Sequence, residues 1–200
     1  MPLYQCAKTV LRFKPKATDF LKGYTTNAAD KPRTAFLSRE GRIVAVADQL
    51  TLSTDETLIV IESRFVERLL SHLKPFLDFS ETQVIQENPI KVYFDLEGSQ
   101  KPAAGEWVIP QKKGQLILTP KNPAALVTEE EFKKFRLEIG LPVQGIDFDE
   151  EILLCVGDEE YVSYTKGCYL GQEIIARIHF RSKPPKKLLA QKDGFMFVVQ

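Results

Sequence analysis

The chain has 200 residues, enough for one large domain or two small ones with a real hydrophobic core. It is 44% hydrophobic and carries 27 basic against 27 acidic side chains, so its bulk charge offers no footprint for nucleic acid. No apolar run approaches the ~20 residues of a membrane span, and the N-terminus lacks the basic start and apolar stretch of a signal peptide; the expectation is a cytoplasmic protein with no membrane partner.

Weak alternation over residues 8–13 predicts a strand, and residues 17–23 a short helix that follows Pro15 and closes at Gly23. Residues 34–38 and 42–52 flank Arg39-Glu40-Gly41 and predict a hairpin turned at Gly41. Residues 57–62 read as a strand. Residues 63–76 set Phe65, Val66, Leu69, Leu70, Leu73 and Phe76 at helical spacing, and 82–86 return as a strand. That order resembles a split β-α-β sandwich with an antiparallel sheet covered on one face. Asn88-Pro89 marks a seam, dividing the chain into a first α+β unit, 1–88, and a second, 89–200. Strands are predicted at 90–96, 107–109 and 115–118. Thr128 to Glu131 form a capping box, and the helix they start is stopped by Gly140 and Pro142. Residues 152–156, 161–164, 174–180 and 195–199 read as strands, giving an α+β class.

Charge is segregated late in the chain. Residues 147–160 hold seven acids and no Lys or Arg, whereas 166–187 hold six bases and one acid, Glu173. Either the basic segment attracts an anion or the two faces neutralise each other. The three cysteines, Cys6, Cys155 and Cys168, form no CxxC pair, and only His72 and His179 accompany them. That argues against a disulfide framework, a zinc site or a self-contained iron–sulfur site, so no metal ligands are assigned.

The densest chemistry lies in Lys166-Gly167-Cys168-Tyr169-Leu170-Gly171-Gln172-Glu173, with Arg177 four residues on. Two glycines permit a tight turn and close backbone approach to a ligand. The bland alternative is a strand-to-strand turn in which Cys168 and Tyr169 pack. Lys166 beside the thiol would favour the thiolate.

The string Lys-Gly-Cys-Tyr-x-Gly-Gln-Glu with the following Arg resembles the signature of the YgfZ-type folate-binding proteins, relatives of the T-protein (aminomethyltransferase) of the glycine cleavage system. Arg136-Leu137-Glu138-Ile139-Gly140-Leu141-Pro142, continuing to Gly145 and Asp147, resembles a helix end of the same superfamily. Residues 20–27 and 35–43 resemble its N-terminal part. The resemblance implies two interlocked ferredoxin-like, split β-α-β units around a central cavity that binds tetrahydrofolate, followed by a small β-barrel. Some ten to fifteen residues after Leu189 are too few for that barrel, which is expected to be absent or nearly so. It further implies Cys168 as a redox- or cluster-facing group. Lys166, Gly167, Tyr169, Gly171, Gln172, Glu173, Arg177 and Asn27 are the cofactor-binding candidates; Glu173 either bonds the folate or buttresses its own loop, Asn27 either lines the cavity or serves as helix-terminal polar chemistry, and Arg177 is expected to hold the loop.

One departure bears on chemistry. The acidic pair of the transferases falls here on Ala45 and Val46, with Asp48 the nearest acid, so the acid/base role has no evident bearer. That demotes transfer chemistry, and the function the resemblance implies is a tetrahydrofolate-binding accessory protein for assembly or repair of iron–sulfur cluster enzymes, partnered by those enzymes or their assembly factors. A folate-dependent aminomethyl (one-carbon) transferase and a non-catalytic scaffold with a vestigial cavity are the alternatives.

Overall fold

A computed structural model describes residues 2–157 and 160–199; Asp158 and Glu159 of the acidic run lie outside the described residues. Strand β1 (Leu3–Cys6) leads into β2 (Lys8–Lys14) and helix α1 (Ala17–Lys22). The hairpin of β3 (Arg33–Leu37) and β4 (Ile43–Thr51) follows, then β5 (Thr57–Glu62), a 3-10 turn at Ser63–Phe65, α2 (Val66–Leu77) and β6 (Gln83–Gln86). Next come β7 (Lys91–Asp95), β8 (Trp107–Pro110), β9 (Gln115–Thr119) and α3 (Glu129–Ile139). The last third holds α4 (Leu153–Val156), α5 (Gln172–Arg181) and the hairpin of β10 (Lys186–Gln191) with β11 (Gly194–Val199).

All strand pairs are antiparallel. A five-stranded sheet runs β3-β4-β5-β2-β6, a four-stranded sheet runs β1-β7-β9-β8, and β10-β11 stands as a ribbon. The fold is α+β. Residues 3–6 join the second sheet beside β7, so the chain contributes to that sheet from both sides of Asn88-Pro89.

The five-stranded sheet is buried on both faces, not on one. Strand alternation sends Leu11, Phe13, Ile59 and Ile61 to the face covered by Phe20, Leu69 and Leu73 of the first two helices. It sends Val10, Leu58 and Val60 the other way, against Val92, Phe94, Leu116 and Leu118 of the second sheet and Phe132 and Phe135 of α3. The β3–β4 end of this second face packs Ala35, Leu37 and Ile43 on Phe148, Leu153, Tyr161, Tyr169 and Ile175. The near-continuous apolar run of β4 is what two buried faces require.

The capping box at Thr128 and Glu131 is present, and Gly140 ends α3 at φ 68°. Three expected strands are absent. Residues 153–156 make a helical turn whose four side chains are all buried, a case in which an apolar run carries no period to read. Residues 161–164 are irregular. Residues 174–180 are helical, because burying Ile175 and half-burying Ile178, three apart, satisfies a helix face where a strand would point them to opposite sides. Residues 186–187 open β10, with Lys186 paired to Glu151 at 2.8 Å.

Candidate functional site

A cavity of about 920 Å³ takes its walls from both sheets, α3, residues 141–147 and the tip of the β10–β11 ribbon. Strand register builds its polar floor. Arg33 pairs across strands with Asp48, and Lys8 with Glu62. Lys8 Nζ lies 3.0 Å from Asp48 Oδ2 and 3.2 Å from Glu62 Oε1. Gln111 Nε2 donates to Asp48 Oδ1 at 3.0 Å. Burial by itself would lower the Lys8 pKa; Asp48 and Glu62 outweigh it and hold the ammonium above its ordinary range. Arg33 donates to Glu160 and to the Tyr161 hydroxyl; its buried Nε lies 3.7 Å from Asp48 Oδ1, an ion pair too long for a hydrogen bond, and has no hydrogen-bond acceptor among the described residues. An unsatisfied donor of this kind at a cavity wall is suited to a ligand acceptor. Cys6, also at the wall, has its thiol pushed up to about 12, first by burial, and so stays protonated and unreactive.

The same cavity also has an aromatic lining. Tyr4 stacks on Phe132 with ring centroids 4.0 Å apart and planes 13° apart, and Phe94 leans on Phe132 at 5.3 Å. The remaining wall is the Arg136–Asp147 stretch. Arg136 Nη1 lies 2.7 Å from Asp147 Oδ2 and also donates to the Leu141 carbonyl, while Asp147 accepts from the Val143 amide at 2.7 Å. Gln144 acts as a strand residue in miniature: its Oε1 accepts from Val46 N at 2.9 Å and its Nε2 donates to Val44 O at 3.3 Å. Asp48, the nearest acid to the missing pair, does stand in the cavity wall, but Lys8 and Gln111 occupy its oxygens. It is an ion-pair partner, not a free base.

The thiol loop lies elsewhere. None of Lys166, Gly167, Cys168, Tyr169, Gly171, Gln172, Glu173, Arg177 or Asn27 lines this cavity. The loop is fastened to residues 23–27: Leu170 N donates to Gly23 O and Ser163 N to Thr26 O, each at 3.0 Å. Lys166 Nζ donates to the carbonyls of Thr25 and Asn27 and sits 5.4 Å from the Tyr169 ring centre. Its ammonium is therefore directed to residues 25–27 and not held for the thiol. Burial, with help from Lys22, lowers it to about 8. Asn27 spends its amide nitrogen on Arg33 O and Glu160 O, at 2.8 and 2.9 Å. Tyr169 is buried, and burial pushes its hydroxyl up to about 12.

The two loop glycines differ. Gly171 has φ +83°, and an added Cβ would overlap the Ser38 carbonyl oxygen and lie 3.1 Å from Leu37 Cβ. Around Gly167 the one neighbour such a Cβ would meet is Lys22 Cε, at 3.5 Å. Cys168 is exposed. Gln172 opens α5, Glu173 and Arg177 lie on its outward face, and Arg177 makes no hydrogen bond to the loop among the described residues. Sequence reasoning missed Tyr4, Lys8, Arg33, Glu62 and Phe132 as site residues. The available signal was a charged side chain placed where strand alternation demands an inward one, as at Lys8 and Arg33.

No protein-family model matches the chain. Among solved structures, the crystal structure of the glycine cleavage system aminomethyltransferase T from Bartonella henselae is similar, with a TM-score of 0.74 and 16% sequence identity. The match covers 93% of this chain and 64% of that one. At this identity the likeness establishes the fold: mixed α+β with antiparallel sheets, like that of aminomethyltransferase T. No helix among the described residues is long and apolar enough to cross a membrane.

Proposed function

We propose that the chain binds a reduced folate, tetrahydrofolate or a derivative, in the cavity and serves as an accessory protein to iron–sulfur cluster enzymes. The observation that carries the folate reading is the cavity itself: about 920 Å³, lined by both aromatic and charged side chains, in a fold like that of aminomethyltransferase T. The residues fit the ligand's chemistry. Tyr4 and Phe132 suit the aminobenzoyl ring, Glu62 and the Arg33 Nε, which has no hydrogen-bond acceptor among the described residues, suit the hydrogen-bonding edge of the pterin, and Arg64 and Lys133 suit the glutamate tail. Bound folate would supply a one-carbon carrier; the protein's part is to hold it away from water.

Our reading assigns the thiol loop an indirect role toward that ligand. Lys166, Tyr169, Gly171 and Asn27 brace β3 and β4, the strands that carry Arg33 and Asp48, while Gly167, Gln172, Glu173 and Arg177 set the surface around Cys168. The exposed Cys168 thiol is then the group that meets the iron–sulfur partner from outside the cavity. One-carbon transfer is the second reading. It is disfavoured because Ala45 and Val46 carry no carboxylate and Asp48 is already paired.

Calorimetric titration with tetrahydrofolate tests the proposal. Saturable binding that is weakened by Phe132→Ala and by Arg33→Gln is expected, without turnover of the ligand's one-carbon group. Turnover would favour the transferase, and absence of binding would leave the scaffold. Loss of cluster-enzyme activity in cells carrying Cys168→Ala is expected; full activity there removes the iron–sulfur role.

A further inference from the structure

The basic segment is sorted by its partners. Lys166 turns inward to Thr25 and Asn27, and Lys186 is neutralised by Glu151. Asp147, Asp149 and Glu150 of the acidic run are taken by Arg136 and Arg68, and Glu160 by Arg33. Lys183 and Lys187 are exposed beyond the helix, and on α5 itself Arg177 and Arg181 are left: both are exposed, and neither makes a salt bridge or hydrogen bond among the described residues. They lie four apart on α5, on the face opposite Ile175 and Ile178, which anchor the helix to the core.

Phe180 stands between them and is 71% exposed, though a ring of its size is usually withdrawn from water. It is fixed in place: Phe180 meets His179 edge-on at 4.7 Å, and His179 stacks on Tyr164 at 3.7 Å. Glu173, Ala176, Arg177, Phe180 and Arg181 line a shallow groove of about 380 Å³ along α5. That volume takes a side chain or two, not a cofactor. An exposed aromatic flanked by unpaired guanidinium groups is the composition of protein–protein hot spots.

We infer that this face of α5 docks an acidic protein segment that carries a large apolar side chain, the carboxylates meeting Arg177 and Arg181 and the apolar group seating on Phe180. Charge complementarity fixes the sign of the partner. The chain's balanced bulk charge, 27 basic against 27 acidic side chains, gives no extended basic footprint for a phosphate backbone, which favours a peptide over nucleic acid. The inference is independent of folate binding, because no groove residue lines the cavity.

The test is fluorescence anisotropy with the full chain and four labelled probes: a glutamate-rich peptide around a Leu-Phe pair, its lysine-for-glutamate analogue, its alanine-for-Leu-Phe analogue, and single-stranded DNA. Saturable, salt-sensitive binding of the first peptide alone is expected. Arg177→Glu combined with Arg181→Glu, and separately Phe180→Ser, should each weaken it by about tenfold or more. All three positions are exposed, so unchanged thermal unfolding is the accompanying control. The inference is overturned if the peptide does not bind, if both variants bind it as well as the parent, or if DNA binds equally with the same arginine dependence. It is also overturned if sedimentation shows a dimer that the arginine variant dissociates, since the face would then belong to a second copy of this chain.

Discussion

Gly171→Ala is the sharpest test of why the loop carries its second glycine. At φ +83° any residue with a Cβ is strained by about 1–2 kcal/mol. The new methyl would also overlap the Ser38 carbonyl, a backbone atom of the β3–β4 turn that cannot rotate away as a side chain would, and press on Leu37 Cβ at 3.1 Å. Overpacking of this kind adds about 1–3 kcal/mol, so the total is about 2–5 kcal/mol. Gly41 on the other side of the contact is itself at φ +72°, with Ile174 Cβ 2.8 Å from where its own Cβ would be, so neither partner can yield cheaply. Urea denaturation of the parent and of Gly171→Ala measures the difference, and Gly167→Ala serves as the control. Gly167 has space and no positive φ, so its substitution should stay within about 0.5 kcal/mol. Equal stability of the two variants would refute the packing account and return both glycines to a ligand-contact role.

Two further substitutions follow from the electrostatics. Lys8→Met removes the cation between Asp48 and Glu62, whose side chains are only 5% and 12% exposed, and should cost about 3–5 kcal/mol in thermal or urea unfolding. Neutralising both acids in the same chain should recover most of that loss; a Lys8→Met variant as stable as the parent would contradict the ion-pair floor. Lys166 predicts a pH dependence: its folded-state pKa of about 8 lies below the ordinary 10.5. The unfolded chain therefore binds more protons between those values, so stability contributed at this site rises with pH across that window and is lowest below it. Comparing the parent with Lys166→Gln over the window isolates the effect. A stability difference that stays flat with pH would show that the ammonium is not desolvated.

Much of the fold was legible in the sequence because local chemistry specified it. The Thr128–Glu131 capping box, Gly41 in its hairpin, and the helical spacing of Leu69 and Leu73 each fix an element without distant partners. The lettering of the thiol loop also marked it as unusual. What that lettering could not say is where the loop would lie, because Lys166 and Asn27 are held by residues more than a hundred positions away in the chain. The helix at Gln172–Arg181 escaped for a related reason: Ile174 and Ile178, four apart, fit either period until the β3–β4 turn and α4 supply a surface for one helix face. The cavity was decided by tertiary structure alone. Cross-strand register sets Lys8 opposite Glu62 and Arg33 opposite Asp48, and only the meeting of two sheets encloses them with Tyr4 and Phe132. A sequence states which side chains are charged; which charges share a buried hollow depends on strand pairing, which no local pattern encodes.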